Sequence, residues 1–170
     1  HSAATGLPRT WSETTNVRWR TPIHDAGWSS PVVWGKRIWC TTATERGHEQ
    51  FVVCIDRDTG KVLLDRKLFH NADPERIGAQ GNTYASPSPV VDRERAYLHF
   101  GTYGTACVDT RTLRTLWTRR DLNCLHGQGP GSSPLLVDGR LILTQDGMDT
   151  QYLVALDPKS GKTLWRTERG

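Results

Sequence analysis

The chain has 170 residues, of which 36% are hydrophobic and 24% are charged, and its formal net charge is +4. This length suits one domain with a sizeable core, and no apolar run reaches the roughly 18 residues of a transmembrane helix. The basic residues are scattered, with Arg119-Arg120 among the few short clusters. We therefore expect neither membrane insertion nor nucleic-acid binding.

The composition favours short strands joined by turns. Sixteen Gly and nine Pro punctuate the chain, and we find no clean i, i+3, i+4, i+7 apolar pattern of an amphipathic helix. Frequent turn residues between short apolar runs are typical of β-proteins. The sequence therefore predicts an all-β fold.

The chain begins with an extension over 1–15, which lacks the basic and apolar regions of a signal peptide. We expect that a leader is absent or has been removed. A strand is predicted next, over 16–21, because Trp19-Arg20-Thr21 recurs as Trp165-Arg166-Thr167. We interpret it as the outer strand of a unit whose other strands the chain lacks.

Three units follow, over 22–69, 70–120 and 121–170. Each contains a Ser-Pro pair followed by two aliphatic residues, and the successive Pro31, Pro89 and Pro134 stand 58 and 45 residues apart. Repeats of about this length are typical of β-propeller blades. Four strands, A to D, are expected in each unit. Their ranges are 28–34, 36–42, 51–56 and 61–68; 84–91, 96–100, 104–109 and 114–119; and 132–137, 140–145, 152–157 and 162–167.

Each unit also repeats a turn between strands C and D. An Asp begins this turn, and in two units a Gly follows four positions later. An Asp carboxylate can accept turn N–H groups, and Gly adopts positive φ at little cost. We interpret the repeated positions of the turn and of strand D as structural. They are Asp56, Gly60, Asp109, Trp117, Asp157, Gly161 and Trp165.

These repeats resemble the PQQ-like, or quinoprotein-type, β-propeller family. The most specific stretch runs from Ala155 through Asp157 and Gly161 to Trp165, and the segment from Leu7 to Trp19 looks like the entry segment of exported bacterial members. The resemblance implies a partial propeller of three full blades and one leading outer strand. It also implies that a strand D Trp docks between blades. Trp117 and Trp165 match that position, whereas Leu64 replaces it in the first blade.

The resemblance raises the alternative of a quinone-dependent oxidoreductase fragment. Such enzymes hold pyrroloquinoline quinone in an eight-bladed ring, with a disulfide of adjacent Cys, a stacking Trp and a Ca²⁺ ion. No two of the four Cys here are adjacent, and three blades do not enclose a channel. We therefore expect neither this quinone nor Ca²⁺, and favour a non-catalytic binding or scaffold propeller. A chain engineered to assemble into a ring is a further alternative.

The candidate binding surface is the face from which the D–A and B–C loops emerge, here called the loop face. Its long loops cover 70–83, 121–131 and 44–49, and varied loops on one side of a repeat array are typical of an interaction surface. Hydroxyls beside aromatic rings suit a polar ligand or an extended peptide. The candidate residues are Trp28, Ser30, Tyr84, Ser86, His126, Gln128, Ser132 and Ser133. The alternative is that the Ser-Pro pairs simply fit a crowded inner strand.

Cysteine and acidic residues give weaker signals. Cys54 and Cys107 occupy a repeat position that holds Ala155 in the third unit, so packing explains them. A bridge between Cys40 and Cys54 stays open, because the sequence does not establish strand register. Cys124 with His126 lacks a second ligand pair for zinc, and the two carboxylates of 146–149 are too few for Ca²⁺. We predict no metal site.

The ends of a three-blade arc predict association. We expect apolar faces that include Val32, Val53 and Ile55 at one end and Leu143, Leu156 and Trp165 at the other. Repeat arrays need covered ends, so self-association through the end blades, or the remaining blades of a longer propeller, would cover them. A protein or peptide partner is also expected. The resemblance implies a periplasmic or extracellular location.

Overall fold

The computed structural model describes residues 5–77 and 82–170, in which twelve strands form three antiparallel sheets. Blade 1 contains β1 (Val32–Trp34), β2 (Arg37–Ala43), β3 (Glu49–Asp56) and β4 (Val62–His70). Blade 2 contains β5 (Val90–Val91), β6 (Arg95–His99), β7 (Thr105–Asp109) and β8 (Thr115–Arg119). Blade 3 contains β9 (Leu135–Val137), β10 (Arg140–Asp146), β11 (Gln151–Leu156) and β12 (Thr163–Glu168).

The strands of each sheet are ordered as in the sequence, so each sheet is one four-stranded blade. The predicted fold class, a partial β-propeller of three blades, is confirmed. No helix in the described parts of the chain is long and apolar enough to span a bilayer.

The inner strands are shorter than the sequence predicts. In blade 2 the ladder holds only Val90 and Val91, because proline lacks the N–H group that a ladder needs and Pro89 directly precedes it. In blade 1, backbone groups just before the Ser-Pro pair form hydrogen bonds with the neighbouring blade instead. Trp28 and Ser29 both donate their backbone N–H to the carbonyl of Ala85, at 3.2 Å.

A relay of serines connects the inner strands of all three blades. The backbone N–H of Ser30 donates to Ser88 Oγ at 2.8 Å, and the N–H of Ser88 donates to Ser133 Oγ at 2.9 Å. Each hydroxyl therefore satisfies an N–H group of the preceding blade. This relay gives the repeated Ser-Pro pairs a structural role.

The C–D turns have the predicted geometry. Asp56 Oδ1 accepts the N–H of Thr59 at 2.8 Å, and the corresponding carboxylates of Asp109 and Asp157 cap their own turns. These hydrogen bonds lower the pKa of all three carboxyls. Gly161 adopts a φ of 70°. The repeated Asp and Gly positions are thus explained by turn structure.

The hydrophobic core lies between the blades. One buried cluster joins blades 1 and 2 and includes Trp39 and Leu98, and a second joins blades 2 and 3. The end faces predicted from the sequence are partly wrong, because Leu143 and Leu156 belong to the second cluster and are at most 1% exposed. Val32 likewise packs against the first cluster. Alternation along β10 turns Ile142 away from blade 2 instead.

The predicted leading strand is absent, because residues 16–21 form no β-ladder. Trp19 nevertheless covers the outer side of blade 1, where it packs against the buried cluster that contains Val53 and Ile55. Its indole N–H donates to the carbonyl of Arg57 at 2.9 Å. These two aliphatic residues, expected on an open end face, are therefore buried.

Candidate functional site

A cavity of about 260 Å³ opens on the loop face between blades 2 and 3. Its walls come from the ends of β6 and β10, and the loop that precedes β9 covers it. The lining residues that matter most for its chemistry are His99, Gly101, His126, Gln128, Ser132 and Thr144. Two blades and one inter-blade loop thus build the site together.

His99 contributes a buried imidazole to this cavity. The residue is 1% exposed, and its Nδ1 lies 2.8 Å from Thr105 Oγ1. Within 5–77 and 82–170 the ring has no other hydrogen-bond partner. Burial, assisted by the nearby His126, lowers the pKa of His99 to about 3. The ring is therefore neutral at physiological pH, and its second nitrogen is available for a ligand.

His126 is held in place by the same loop. Its Nε2 accepts the backbone N–H of Thr102 at 3.0 Å, which requires an unprotonated Nε2. Burial lowers the pKa of His126, although Glu75 and Asp149 oppose this shift. Gly101 has a φ of 59°, and a side chain there would collide with the His126 ring. The glycine thus makes room for the imidazole.

Two carboxylates position the loop above the cavity. Glu75 accepts the backbone N–H groups of His126 and Gly127, at 2.9 and 3.3 Å. Asp149 Oδ1 accepts the N–H of Leu125 at 2.7 Å, and Asp146 pairs with Arg169. The carboxylates near the cavity are therefore used by the protein itself. The cavity side chains that remain free to contact a ligand are mainly neutral and polar.

Three of the eight predicted binding residues, His126, Gln128 and Ser132, line this one cavity. Tyr84 lies elsewhere, beside a second cavity of about 610 Å³ in blades 1 and 2. Tyr84 is 5% exposed, and its hydroxyl donates to the carbonyl of Glu75. Its side chain is thus engaged in packing and in fixing the loop.

The other predicted residues line neither cavity. Ser88 and Ser133 provide the acceptors of the serine relay, and Ser86 bonds within its own loop to Asn82. The Ser30 hydroxyl accepts no hydrogen bond from the described residues. Trp28 is 61% exposed. A ligand role for these positions stays a prediction.

His99 and Glu75 are the residues that the sequence did not single out as part of a site. His99 falls within the predicted strand 96–100, between Leu98 and Phe100, but this placement gives no sign of a position beside a cavity. Glu75 acts over a separation of 51 residues along the chain. The sequence contains no signal for such a contact between two loops.

All four cysteines are free and buried. The open question of a bridge is answered by register: Cys40 pairs with Val53 and Cys54 with Trp39, so the two thiols point to opposite faces of blade 1. Burial raises the pKa of the Cys40 and Cys54 thiols to about 11. Cys124 lies 3.6 Å from His126 Nε2, with its pKa raised to about 12.

The side chains considered for a metal ion or a disulfide lie apart or are bound to other groups of the chain. Within the two described ranges, no three His, Cys, Asp or Glu side chains form a group suited to a metal ion. Asp146 and Asp149, the carboxylates considered for Ca²⁺, are bound by Arg169 and by a backbone N–H. These residues do not fit Ca²⁺, and the buried, separated cysteines do not fit a vicinal disulfide.

Comparison with known proteins places the chain among propeller sequences. The family model described as outer membrane protein assembly factor BamB, which is a PQQ-like repeat model, matches residues 9–169. None of the curated proteins matches the chain.

Solved structures share the fold. The europium-containing methanol dehydrogenase has a TM-score of 0.61 at 15% identity, over 93% of this chain and 26% of its own. The quinohemoprotein alcohol dehydrogenase from Comamonas testosteroni has a TM-score of 0.59 at 15% identity, over 85% and 21%. BamB from Moraxella catarrhalis has a TM-score of 0.55 at 15% identity, over 93% and 42%. The chain spans less than half the length of these structures.

Proposed function

The chain belongs to the PQQ-like propeller family whose model is described as outer membrane protein assembly factor BamB. From this membership we propose that the chain is a non-catalytic binding module. Its loop face would contact another protein, and the cavity between blades 2 and 3 would receive a neutral polar group of that partner. The match of the BamB family model over residues 9–169 carries the proposal. The same kinship supports a periplasmic or extracellular location.

The chemistry of the cavity supports a neutral ligand group. His99 and His126 are uncharged at neutral pH, and Asp146 is paired with Arg169. A charged group would lose its hydration without gaining a partner of opposite charge. A backbone amide or a hydroxyl could instead bond to His99 and to the side chain of Gln128. Extended polypeptides present such groups in regular order.

The proposal is tested by titrating the ¹⁵N-labelled chain with an uncharged peptide of alternating tyrosine and asparagine, blocked at both ends. We expect the amide signals of Gly101, His126 and Thr144 to shift, while those of Gly35 and Gly139 on the opposite face stay constant. Shifts confined to the opposite face, or none at millimolar peptide, would contradict the proposal.

A matched pair of variants localises the binding. Ser132→Leu should fill the cavity, because Ser132 lines it and its side chain bonds to none of the described residues. Thr118→Leu introduces the same side chain at an exposed position of β8. We expect at least tenfold weaker peptide binding by Ser132→Leu and unchanged binding by Thr118→Leu. Equal loss in both variants would exclude the cavity.

The oxidoreductase fragment is the second candidate, because two of the similar structures are dehydrogenases. It predicts saturable binding of pyrroloquinoline quinone in the presence of Ca²⁺. We expect no saturable change in quinone absorbance or in tryptophan fluorescence. A saturating response at micromolar quinone would favour the enzyme instead.

A further inference from the structure

The A–B and C–D turns lie at the end of the blades opposite the loop face, here called the turn face. In blade 2 the turn face contains a cavity of about 510 Å³. Its walls come from the A–B turn, the first residue of β6 and the C–D turn: Arg93, Glu94, Arg95, Asp109, Thr110 and Arg111. The Thr110 hydroxyl donates to the carbonyl of Arg93 at 2.8 Å, and the Thr110 N–H donates to that of Glu94 at 2.9 Å. These hydrogen bonds fix the two turns relative to one another.

The two carboxylates in the cavity wall are already bound by the chain. Glu94 accepts a hydrogen bond from Arg95 Nη1 at 2.8 Å, and Asp109 Oδ1 accepts two N–H groups and a hydroxyl within its own turn. The guanidinium groups of Arg93 and Arg111, by contrast, form no ion pair with any described residue. The cavity wall therefore has more positive charge than its own carboxylates balance.

Arg95 also provides a buried donor without an acceptor. Its side chain is 20% exposed, and its Nε is buried with no hydrogen-bond partner among the described residues. Tyr97 lies on the same side of β6, because residues two apart in a strand face the same way. The Tyr97 side chain is fully buried, and its hydroxyl also lacks a partner within 5–77 and 82–170. Burial raises the pKa of Tyr97, so the hydroxyl keeps its proton. Buried donors of this kind call for an acceptor.

Blade 1 adds a fourth guanidinium group at the edge of this region. Arg37 Nη2 donates to the carbonyl of Arg111 at 3.2 Å, which places the Arg37 charge beside the C–D turn of blade 2. Its Nη1 is buried and has no partner in the described parts of the chain. Arginine presents several N–H donors in a planar fork that matches the oxygens of a phosphate group. The grouping of arginines therefore indicates an oxyanion as ligand.

The A–B turn of blade 2 also departs from the repeat. At the position of Arg93, blade 1 has Gly35 and blade 3 has Asp138, both with positive φ. Arg93 has no positive φ, and its turn is closed by the Asp92 carboxylate, which accepts the N–H of Glu94 at 2.7 Å. Blade 2 thus places a cation where the other two blades have none.

We propose that this cavity binds a phosphate group, with the guanidinium groups of Arg93, Arg95 and Arg111 as its donors. The phosphate belongs either to a small soluble compound or to the headgroup of an anionic lipid, since both present the same oxygens to the cavity. Hydrogen bonds between guanidinium and phosphate groups are about twice as strong as neutral ones. The site is separate from the loop face, so it acts independently of the proposed protein partner.

The test is titration of the ¹⁵N-labelled chain with inorganic phosphate at neutral pH, with chloride used to keep the ionic strength constant. We expect saturable shifts of the amide signals of Thr110 and Arg111, and a constant signal for Gly101 on the loop face. Arg93→Gln and Arg111→Gln should each weaken phosphate binding at least about tenfold, because each loses a charge-assisted hydrogen bond. Arg46→Gln is the matched control, since Arg46 is exposed on the loop face and its loss lowers the net charge equally.

A second experiment identifies the source of the phosphate. The chain is sedimented with vesicles of phosphatidylcholine, with and without phosphatidic acid. Binding that requires phosphatidic acid, is lost in Arg111→Gln and is kept in Arg46→Gln would support the proposal with a lipid as the source. Saturable binding of inorganic phosphate without binding to either vesicle would support it with a soluble compound as the source.

Two results would overturn the proposal. One is the absence of saturable shifts at millimolar phosphate. The other is equal weakening of phosphate binding in Arg111→Gln and Arg46→Gln, which would reveal a general effect of net charge. Arg93→Gln and Arg111→Gln are both expected to fold, because the two side chains are exposed and bond to none of the described residues. If one of them does not fold, the other decides the result.

Discussion

The close approach of Trp117 to Gly161 predicts an unusually costly glycine substitution. In Gly161→Ala the new Cβ would lie 2.7 Å from Trp117 Cδ2, and the backbone φ is 70°. Gly139 provides the matched control. Its φ is 68°, but a Cβ there would meet no atom within 4 Å. The two substitutions therefore share the backbone strain and differ in the contact with the indole.

The magnitudes follow from these two effects. A left-handed conformation costs an alanine about 1–2 kcal/mol, which is the loss of unfolding free energy expected for Gly139→Ala. Overpacking adds about 1–3 kcal/mol, so Gly161→Ala should lose about 2–5 kcal/mol in all. Urea unfolding followed by far-UV circular dichroism measures both. In a Trp117→Ala background the extra cost should vanish, because the indole is no longer present.

Equal losses for Gly161→Ala and Gly139→Ala in the wild-type background would refute the reasoning. So would an extra cost at Gly161 that survives the removal of the indole. Either result would mean that the Trp–Gly contact does not hold blades 2 and 3 together.

Three further predictions concern single contacts. Ser88→Ala should reduce the free energy of unfolding by about 1 kcal/mol, because it leaves the N–H of Ser30 without its acceptor, whereas Ser30→Ala should be nearly neutral in the same urea assay. The four buried thiols have raised pKa values, so Ellman's reagent at pH 8 should label none in the native chain and all four in denaturant. His24 bridges Asp65 and Asp25 through its two ring nitrogens, and these hydrogen bonds, that to Asp65 first, raise its pKa. Because the folded pKa lies above the unfolded one, the stabilisation is complete below about pH 6.5 and is lost as the pH rises through the folded value. Relative to His24→Gln, the wild type should therefore lose unfolding free energy as the pH rises above about 6.5.

Local patterns made the blades predictable from the sequence. The Asp-to-Gly turn and the Ser-Pro start depend on the chemistry of neighbouring residues, so they can be recognised without knowledge of the fold. The sequence does not show in the same way which neighbouring blade each strand's side chains contact. Both sides of a blade are apolar, because each side packs on a neighbour, and the alternation of Leu141, Ile142 and Leu143 does not show which side meets blade 2.

The candidate site was predictable only in part for a related reason. His126, Gln128 and Ser132 share one loop, so their joint position was accessible from the sequence. The cavity is also formed by the ends of β6 and β10, and its loop is fixed by the hydrogen bond that Glu75 accepts from the His126 N–H. Those contacts depend on how blades stack in space. Whether Cys40 and Cys54 form a disulfide was likewise not predictable, since a shift of one residue in strand register moves a cysteine to the other face of the blade.

The measurement that tests the central claim most directly is site-specific photo-crosslinking in the native host. A photoreactive amino acid is placed at Gln128 on the loop face or at Lys159 on the opposite face, both of which are exposed. Our account predicts a discrete protein adduct from Gln128 that disappears with Ser132→Leu, and none from Lys159. An adduct from Lys159 alone, or one from Gln128 that Ser132→Leu leaves unchanged, would contradict it.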